Sequence, residues 1–161
     1  MLKNNFKLLA QAAAVLVWML LIFSFSSQPA VQSNRLSRST ATVITEVKSV
    51  ITHGMSSPRT ISHLNGVIRK AAHFFLYFVL GILVISILAQ FKFSHREAFI
   101  HAIFICILYG ALDEFHQFFV PGRGPGIGDV LIDAAGCAVG LLVFWFAERL
   151  LKPLSPVLKK E

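Results

Sequence analysis

Residues Tyr109 to Asp129 read YGALDEFHQFFVPGRGPGIGD and separate two strongly apolar segments of the chain. Acidic, basic and amide side chains are concentrated in this stretch, at or beside the depth of a membrane. Ionisable side chains are costly in hydrocarbon and are kept mostly where they face a protein interior, pair with one another or take part in chemistry. The stretch therefore predicts a polar centre among membrane helices, and its candidate functional residues are Asp113, Glu114, His116, Gln117, Arg123 and Asp129.

The composition of the whole chain indicates an integral membrane protein. Of its 161 residues, 55% are hydrophobic and only 14% are charged, and its mean hydropathy is +0.68. The formal charge of +7 comes from basic residues that flank apolar segments, where they suit anionic lipid head groups and set the topology. The sequence has no basic stripe with interleaved aromatic residues outside these segments. We therefore expect membrane lipids, and not nucleic acid, as partners.

The sequence gives no reason to expect a metal or a cofactor. Cys106 and Cys137 lie in separate apolar runs, which predicts packing roles and not a disulfide or a zinc site. The HExxH motif of zinc hydrolases and the serine elbow of esterases are both missing from the sequence. Carboxylate and imidazole groups do occur in the central stretch and are suitable metal ligands, but their spacing is not specific for that role.

Four apolar segments are long enough to cross the hydrocarbon core as helices. They cover about residues 8–25, 71–90, 98–119 and 129–151, within a single membrane domain that takes in residues 1–161. The first is expected to be an uncleaved span, because its apolar run is long for a signal sequence and three more spans follow.

Between spans one and two, apolar residues recur at three- and four-residue spacing from Gln32 to Thr52, which is typical of an amphipathic helix. Such a helix is expected to lie on the membrane surface or to cover the polar site, and a plain interfacial helix without a role in recognition is the simpler alternative. The sequence therefore predicts an all-α integral membrane protein with four transmembrane helices plus an amphipathic interfacial helix.

The second and fourth spans each carry a stripe of polar and small residues. Residues spaced by three or four lie on one face of a helix, and two glycines four apart let another helix approach closely. Both stripes are therefore expected to face partner helices and not lipid. They consist of Arg69, His73, Tyr77 and Gly81 in span two, and of Asp129, Asp133, Gly136 and Gly140 in span four.

With four spans, both chain ends lie on the same side of the membrane. Basic residues near the span ends favour the cytoplasm for that side, although Arg69 and Lys70 argue the other way. The entrance of span two, the exit of span three and the entrance of span four then meet on the extracytoplasmic side. The basic residues that favour this orientation are Lys3, Lys7, Lys92, Arg96, Arg149 and Lys152.

The polar residues at this end form the candidate site, with two roles open. Carboxylates of unequal pKa are suited to acid–base chemistry, whereas a buried polar network could equally serve only to fix helix register. The catalytic candidates are Asp113, Glu114, His73 and Asp129. The binding candidates are Arg69, Lys70, His73, Tyr77, Asp113, Glu114, Gln117, Arg123, Asp129 and Asp133.

An ordered set of motifs resembles the VanZ-like family of small bacterial membrane proteins over nearly the whole chain. The set comprises Phe25-Ser26-Ser27-Gln28, Arg69-Lys70-Ala71-Ala72-His73-Phe74 with Tyr77 and Gly81, Asp113-Glu114-Phe115-His116-Gln117, Pro121-Gly122-Arg123, Asp129, Asp133, Gly136 and Gly140. The resemblance implies a multi-span protein of the cell membrane that acts on or in the cell envelope. It also implies, for some members, lowered susceptibility to teicoplanin-type glycopeptide antibiotics.

Two functions remain open at this point. In the first, the protein binds a lipid or a lipid-linked envelope precursor, with Arg69, Lys70 and Arg123 contacting phosphate. In the second, it is a membrane-embedded hydrolase or transferase that acts on a lipid-linked substrate through Asp, Glu and His acid–base or metal chemistry. The sequence does not decide whether the protein is an enzyme.

Overall fold

A computed structural model describes residues 2–52, 58–124 and 126–151 of the chain. Within these ranges the regular elements are five α-helices, and four of them are long and apolar enough to cross a membrane. The predicted all-α membrane fold is therefore confirmed, and the helix between spans one and two is present. The helices are α1 (Leu2–Ser26), α2 (Ala30–Thr52), α3 (Pro58–Leu88), α4 (His95–Gln117) and α5 (Ile127–Leu151).

The helix ends differ by several residues from those expected from hydropathy, because local capping sets them. The helix α4 begins at His95 because Ser94 Oγ accepts from the Glu97 backbone N–H, and the Glu97 carboxylate accepts from the Ser94 N–H at 2.8 Å. The reciprocal pair satisfies two backbone donors that the helix itself cannot. Pro58 opens α3 well before the apolar run, since a helix's first turn does not need the missing N–H.

The turn between α4 and α5 depends on one glycine. Gly122 follows Pro121 and has φ of 75°, a backbone conformation that glycine adopts without steric cost. Gly124 and Gly126 also lie in this turn, and Pro125 lies outside the described residues. Gly128 lies within the first turn of α5, which begins at Ile127.

The closest helix pair is α3 with α5, as the two stripes predicted. A Cβ atom added to Gly136 would collide with the carbonyl oxygen of Phe74, and one added to Gly140 would collide with that of Phe78. On the other helix, a Cβ on Gly81 would lie 2.7 Å from the carbonyl oxygen of Cys137. The two backbones therefore touch without side chains between them, which is the packing that small residues permit in membranes.

The helix α1 is fixed to the rest by hydrogen bonds from aromatic side chains. Trp18 Nε1 donates to the Leu76 carbonyl of α3 at 2.9 Å, and Tyr109 of α4 donates to the Met19 carbonyl at 2.6 Å. At the other end of the bundle, Gln90 hydrogen-bonds to Gln11. The chain direction alternates, so α1 and α4 finish at the end of the bundle where α3 and α5 enter it. We call this end the site end.

Cys106 and Cys137 are fully buried, free thiols in the core between the helices. Their packing role is confirmed. Large apolar side chains on the outer faces of the spans are exposed, as expected for helices surrounded by lipid.

Candidate functional site

A network of four polar side chains links α1, α4 and the following turn at the site end. Ser26 donates to Asp113 Oδ2 at 2.5 Å, and Gln117 Nε2 donates to the same oxygen at 3.0 Å and to Ser26 Oγ at 2.8 Å. Gln117 Oε1 in turn accepts from Arg123 Nη1 at 3.2 Å. Ser26, Asp113 and Gln117 are all buried. The network pairs Asp113 Oδ2 and the Gln117 amide, which would otherwise be costly to bury at this depth, whereas Asp113 Oδ1 has no hydrogen-bond partner among the described residues.

The guanidinium of Arg123 is held mainly by backbone carbonyls. Its Nε donates to the Gln28 carbonyl at 3.1 Å and its Nη2 donates to the Phe25 carbonyl at 3.2 Å. These oxygens belong to the end of α1 and the turn that follows, so Arg123 joins that turn to the turn after α4. Within the described residues, no carboxylate lies within ion-pair distance of Arg123.

The charge of Arg123 lies in an unfavourable setting. Burial lowers the pKa of its guanidinium, and the neighbouring positive charge of Arg69 lowers it further. Carboxylates on α4 and α5 act in the opposite direction. An arginine still remains protonated under such conditions. The two guanidiniums therefore repel each other across the site end, and an anion placed near both would be attracted.

Arg69 and Arg123 line the main cavity, which has a volume of about 380 Å³. Its remaining walls are mostly apolar side chains from α1 and α3, together with hydroxyl groups, and none of the described residues that line it is acidic. The helix α2 closes one side with Ser33, Ser37 and Thr40. The full lining is Ile22, Phe25, Ser26, Gln28, Ser33, Ser37, Thr40, Ile68, Arg69, Ala72, His73, Phe75, Leu76 and Arg123.

A second, smaller cavity of about 190 Å³ adjoins the main one and shares Arg69 and His73 with it. Its other lining residues are Gly66, Lys70 and Asp129. Asp129 lies in the first turn of α5, where a carboxylate is favoured by the helix dipole. Three basic or imidazole side chains thus surround a single carboxylate here.

His73 is paired with Asp133 behind the cavities. His73 Nδ1 lies 3.5 Å from Asp133 Oδ1, an ion-pair distance longer than an ordinary hydrogen bond. Asp133 is only 1% exposed, and neither of its oxygens has a hydrogen-bond partner among the described residues. Tyr77 lies beside it, with both side chains against Gly110, and its buried hydroxyl also has no partner there.

Glu114 and His116 point away from the main cavity. Glu114 Oε2 accepts from the Gly126 backbone N–H at 2.8 Å, just before the start of α5. The contact fixes the position of α5 relative to α4. His116 Nε2 lies 3.1 Å from Ser27 Oγ, and its ring packs against Phe23. Both residues therefore support the turns around the site.

The structure thus divides the ten binding candidates by position. Arg69, His73 and Arg123 line the main cavity, and Lys70 and Asp129 line the smaller one. Asp113 and Gln117 belong to the network behind Arg123. Tyr77 and Asp133 lie beneath His73. Glu114 accepts a hydrogen bond just before the start of α5. Within the described chain, no three His, Cys, Asp or Glu residues converge in an arrangement that could hold a metal ion.

Sequence reasoning left two groups of residues out of the site. Ser26 and Gln28 were noted only as parts of a motif, although they contact Asp113, Gln117 and Arg123. The hydroxyl residues of α2, at 33, 37 and 40, were not noted. Their spacing of four and three places them on one face of the helix, and that periodicity is the signal that could have found them.

The sequence matches the VanZ/LLP1 family over residues 12–148. This range includes all five helices at the site end and every residue of the two cavities. No curated protein and no solved structure matches the chain.

Proposed function

Given that the chain belongs to the VanZ/LLP1 family, we propose that it binds the phosphate-bearing head group of a membrane lipid or lipid-linked envelope precursor in the main cavity. In the proposed orientation, both chain ends lie in the cytoplasm and the cavity opens at the outer face of the bacterial cell membrane. The observation that supports this most is the pair of guanidiniums, Arg69 and Arg123, in a cavity with no carboxylate among the lining residues that the structure describes.

The charges call for an anionic ligand. Among the side chains that the structure describes, neither Arg69 nor Arg123 has an ion-pair partner. Cations partly withdrawn from water are stabilised by a counter-ion that also accepts hydrogen bonds. Phosphate oxygens suit a guanidinium well, because its planar N–H groups form parallel, charge-assisted bonds with them.

The walls of the cavity suit the rest of a lipid. Ile22, Ile68, Leu76 and two phenylalanines provide an apolar surface. Phe25 and Phe75 are also exposed on the outside of the bundle, so the cavity edge is continuous with the surface that lipid tails contact. A hydrocarbon chain can therefore stay in the membrane while its head group reaches the arginines.

Lipid binding is tested with purified protein in nanodiscs and two probes, farnesyl phosphate and uncharged farnesol. We expect preferential binding of the phosphate in calorimetry, and an affinity lower by roughly ten- to a hundredfold in Arg69→Gln, because one charge-assisted hydrogen-bond donor is lost. Arg69 is the better target than Arg123, which also fixes two backbone carbonyls.

Arg149→Gln is the matched control, since Arg149 packs over Trp145 at the opposite end of the bundle. Its affinity for farnesyl phosphate should equal that of the wild type. Equal binding of farnesol and farnesyl phosphate, or equal losses in the two variants, would contradict the proposal.

A role in glycopeptide tolerance stays a prediction. If the protein acts by binding an envelope precursor, its expression in a susceptible host should raise tolerance to teicoplanin more than to vancomycin, measured as minimum inhibitory concentrations. Arg69→Gln should abolish the difference. An equal change for both antibiotics, or no change, would remove this role.

A further inference from the structure

We propose that His73 and Asp133 form an acid–base pair that hydrolyses the terminal phosphate of a lipid diphosphate held in the main cavity. This inference rests on the proposed function, because the substrate must first bind at Arg69 and Arg123. It assigns a substrate class and a reaction to a pair of residues that lie on different helices, α3 and α5.

The buried carboxylate fixes the histidine. Asp133 is 1% exposed, and His73 is its one ion-pair partner among the described residues. A carboxylate so far from water is stabilised only through such a partner. Asp133 Oδ1 lies 3.5 Å from Nδ1, and a carboxylate on that side favours the tautomer of the neutral ring that carries its proton on Nδ1. Asp133 is therefore a positioning residue.

The other nitrogen of His73 faces the cavity. His73 Nδ1 is completely covered, whereas the side chain is 19% exposed and lines both cavities. The exposed part of the ring therefore excludes Nδ1, and the proposal places Nε2 there. This orientation of His73 places an unprotonated nitrogen in the main cavity, together with the guanidiniums of Arg69 and Arg123. A general base beside a bound phosphate requires this arrangement.

The reaction balances without a redox partner. A water oxygen forms a bond to the terminal phosphorus while His73 Nε2 removes a proton from that water. The bond between this phosphorus and the bridging oxygen breaks, and the bridging oxygen keeps the electron pair. Inorganic phosphate and a lipid monophosphate are released, and His73 then returns its proton to solvent. The guanidiniums would stabilise the negative charge that accumulates on the phosphate oxygens.

The leaving group favours a diphosphate over a monophosphate. The lipid monophosphate leaves as a stable anion and needs no proton. A lipid alkoxide, in contrast, would need a general acid, and none of the described residues that line the main cavity has a carboxyl group to supply the proton. Of the acidic residues near the site end, Asp113 accepts from Ser26 and Gln117, Glu114 accepts from Gly126, and Asp129 lines the smaller cavity.

The experiment measures phosphate release and binding together, with the full-length protein in nanodiscs. The probes are farnesyl diphosphate and farnesyl monophosphate. We expect release of inorganic phosphate from the diphosphate only. His73→Gln should lower kcat by about a hundredfold or more, the usual contribution of a general base. Asp133→Asn should lower kcat while leaving KM and calorimetric affinity close to wild type, which separates positioning of His73 from loss of folding or binding.

His101→Gln is the matched control, because His101 is an exposed histidine of α4 that lines neither cavity; its Nδ1 lies 2.6 Å from the Glu97 carbonyl oxygen and its ring stacks on Phe93. Its kcat should equal that of the wild type. Binding of farnesyl diphosphate without phosphate release would overturn the reaction and leave the proposed lipid binding intact. Absence of both would remove both proposals, and release unaffected by His73→Gln would remove the assignment of the base.

Discussion

The hydroxyl of Ser26 both donates to Asp113 and accepts from Gln117, so one small side chain completes a three-residue arrangement at the centre of the site end. Replacing it with alanine would leave the buried Asp113 carboxylate with one hydrogen-bond donor fewer. We expect Ser26→Ala to lower the free energy of unfolding by about 1–3 kcal/mol, the usual effect of leaving a buried polar group unsatisfied. Thermal unfolding of the purified protein in detergent measures it as a lower Tm.

Ser24→Ala is the control for this prediction. Ser24 lies on the same helix but is exposed, and its hydroxyl bonds only the Leu20 carbonyl one turn earlier. Its Tm should stay within about one degree of wild type, as surface substitutions usually do. If the two variants had the same Tm, Ser26 would not hold the network together.

For single residues, the sequence predicted the α4 side of the Ser26 contacts but not the α1 side. Asp113 and Gln117 were predictable, because charged and amide residues four apart in an apolar helix are rare and share a face. Ser26 was not, because its importance comes from contacts 87 and 91 residues away along the chain. Serine near a helix end is also common for purely local reasons.

Among the helices, the contact between α3 and α5 determines how the site is built, since it brings His73 and Asp133 together. The substitution Gly136→Ala would place a methyl group against the Phe74 carbonyl. We expect it to push the helices apart and to lower the free energy of unfolding by about 1–3 kcal/mol or more, as overpacking does. The Tm of thermal unfolding should fall, and the kcat of the proposed hydrolysis should fall with it.

Gly66→Ala provides the comparison, because Gly66 is also a helical glycine and has no neighbour within 4 Å of an added Cβ. Alanine favours the helix over glycine by about 1 kcal/mol, so this variant should be as stable as the wild type or more so. A loss of stability equal to that of Gly136→Ala would mean that helix contact is not the cause.

The position of α2 was only partly predictable. Its amphipathic pattern indicated a helix, and the pattern allowed both a plain surface helix and a cover for the polar site. The structure places Ser33, Ser37 and Thr40 in the wall of the main cavity. The hydrophobic periodicity could not show this, because serine and threonine suit a water-facing surface and a hydroxyl-lined cavity equally well.

For the whole molecule, the open question is which side of the membrane carries the site end. Basic residues near the span ends predict that both chain ends are cytoplasmic. A green fluorescent protein fused after Glu161 should therefore fluoresce, and alkaline phosphatase fused at the same position should be inactive. The reverse pattern would place the cavity on the cytoplasmic side and exclude a precursor that is exposed only outside.

The overall architecture was the most predictable level. Four apolar segments of spanning length already require helices, because a membrane leaves no other way to satisfy the backbone of single segments. The convergence of their polar ends at one site end follows from the alternating chain direction. The cavity volume could not be predicted, since it depends on the side-chain positions of three helices and two turns at once.

The direct contact between the α3 and α5 backbones also bears on how the helices can move. Two backbones without intervening side chains have no rotamers to change, so we expect this pair to move less than helices that meet through side chains. The helices α1 and α2 meet the main cavity through side chains, so we expect them to move more than α3 and α5 when a lipid enters or leaves.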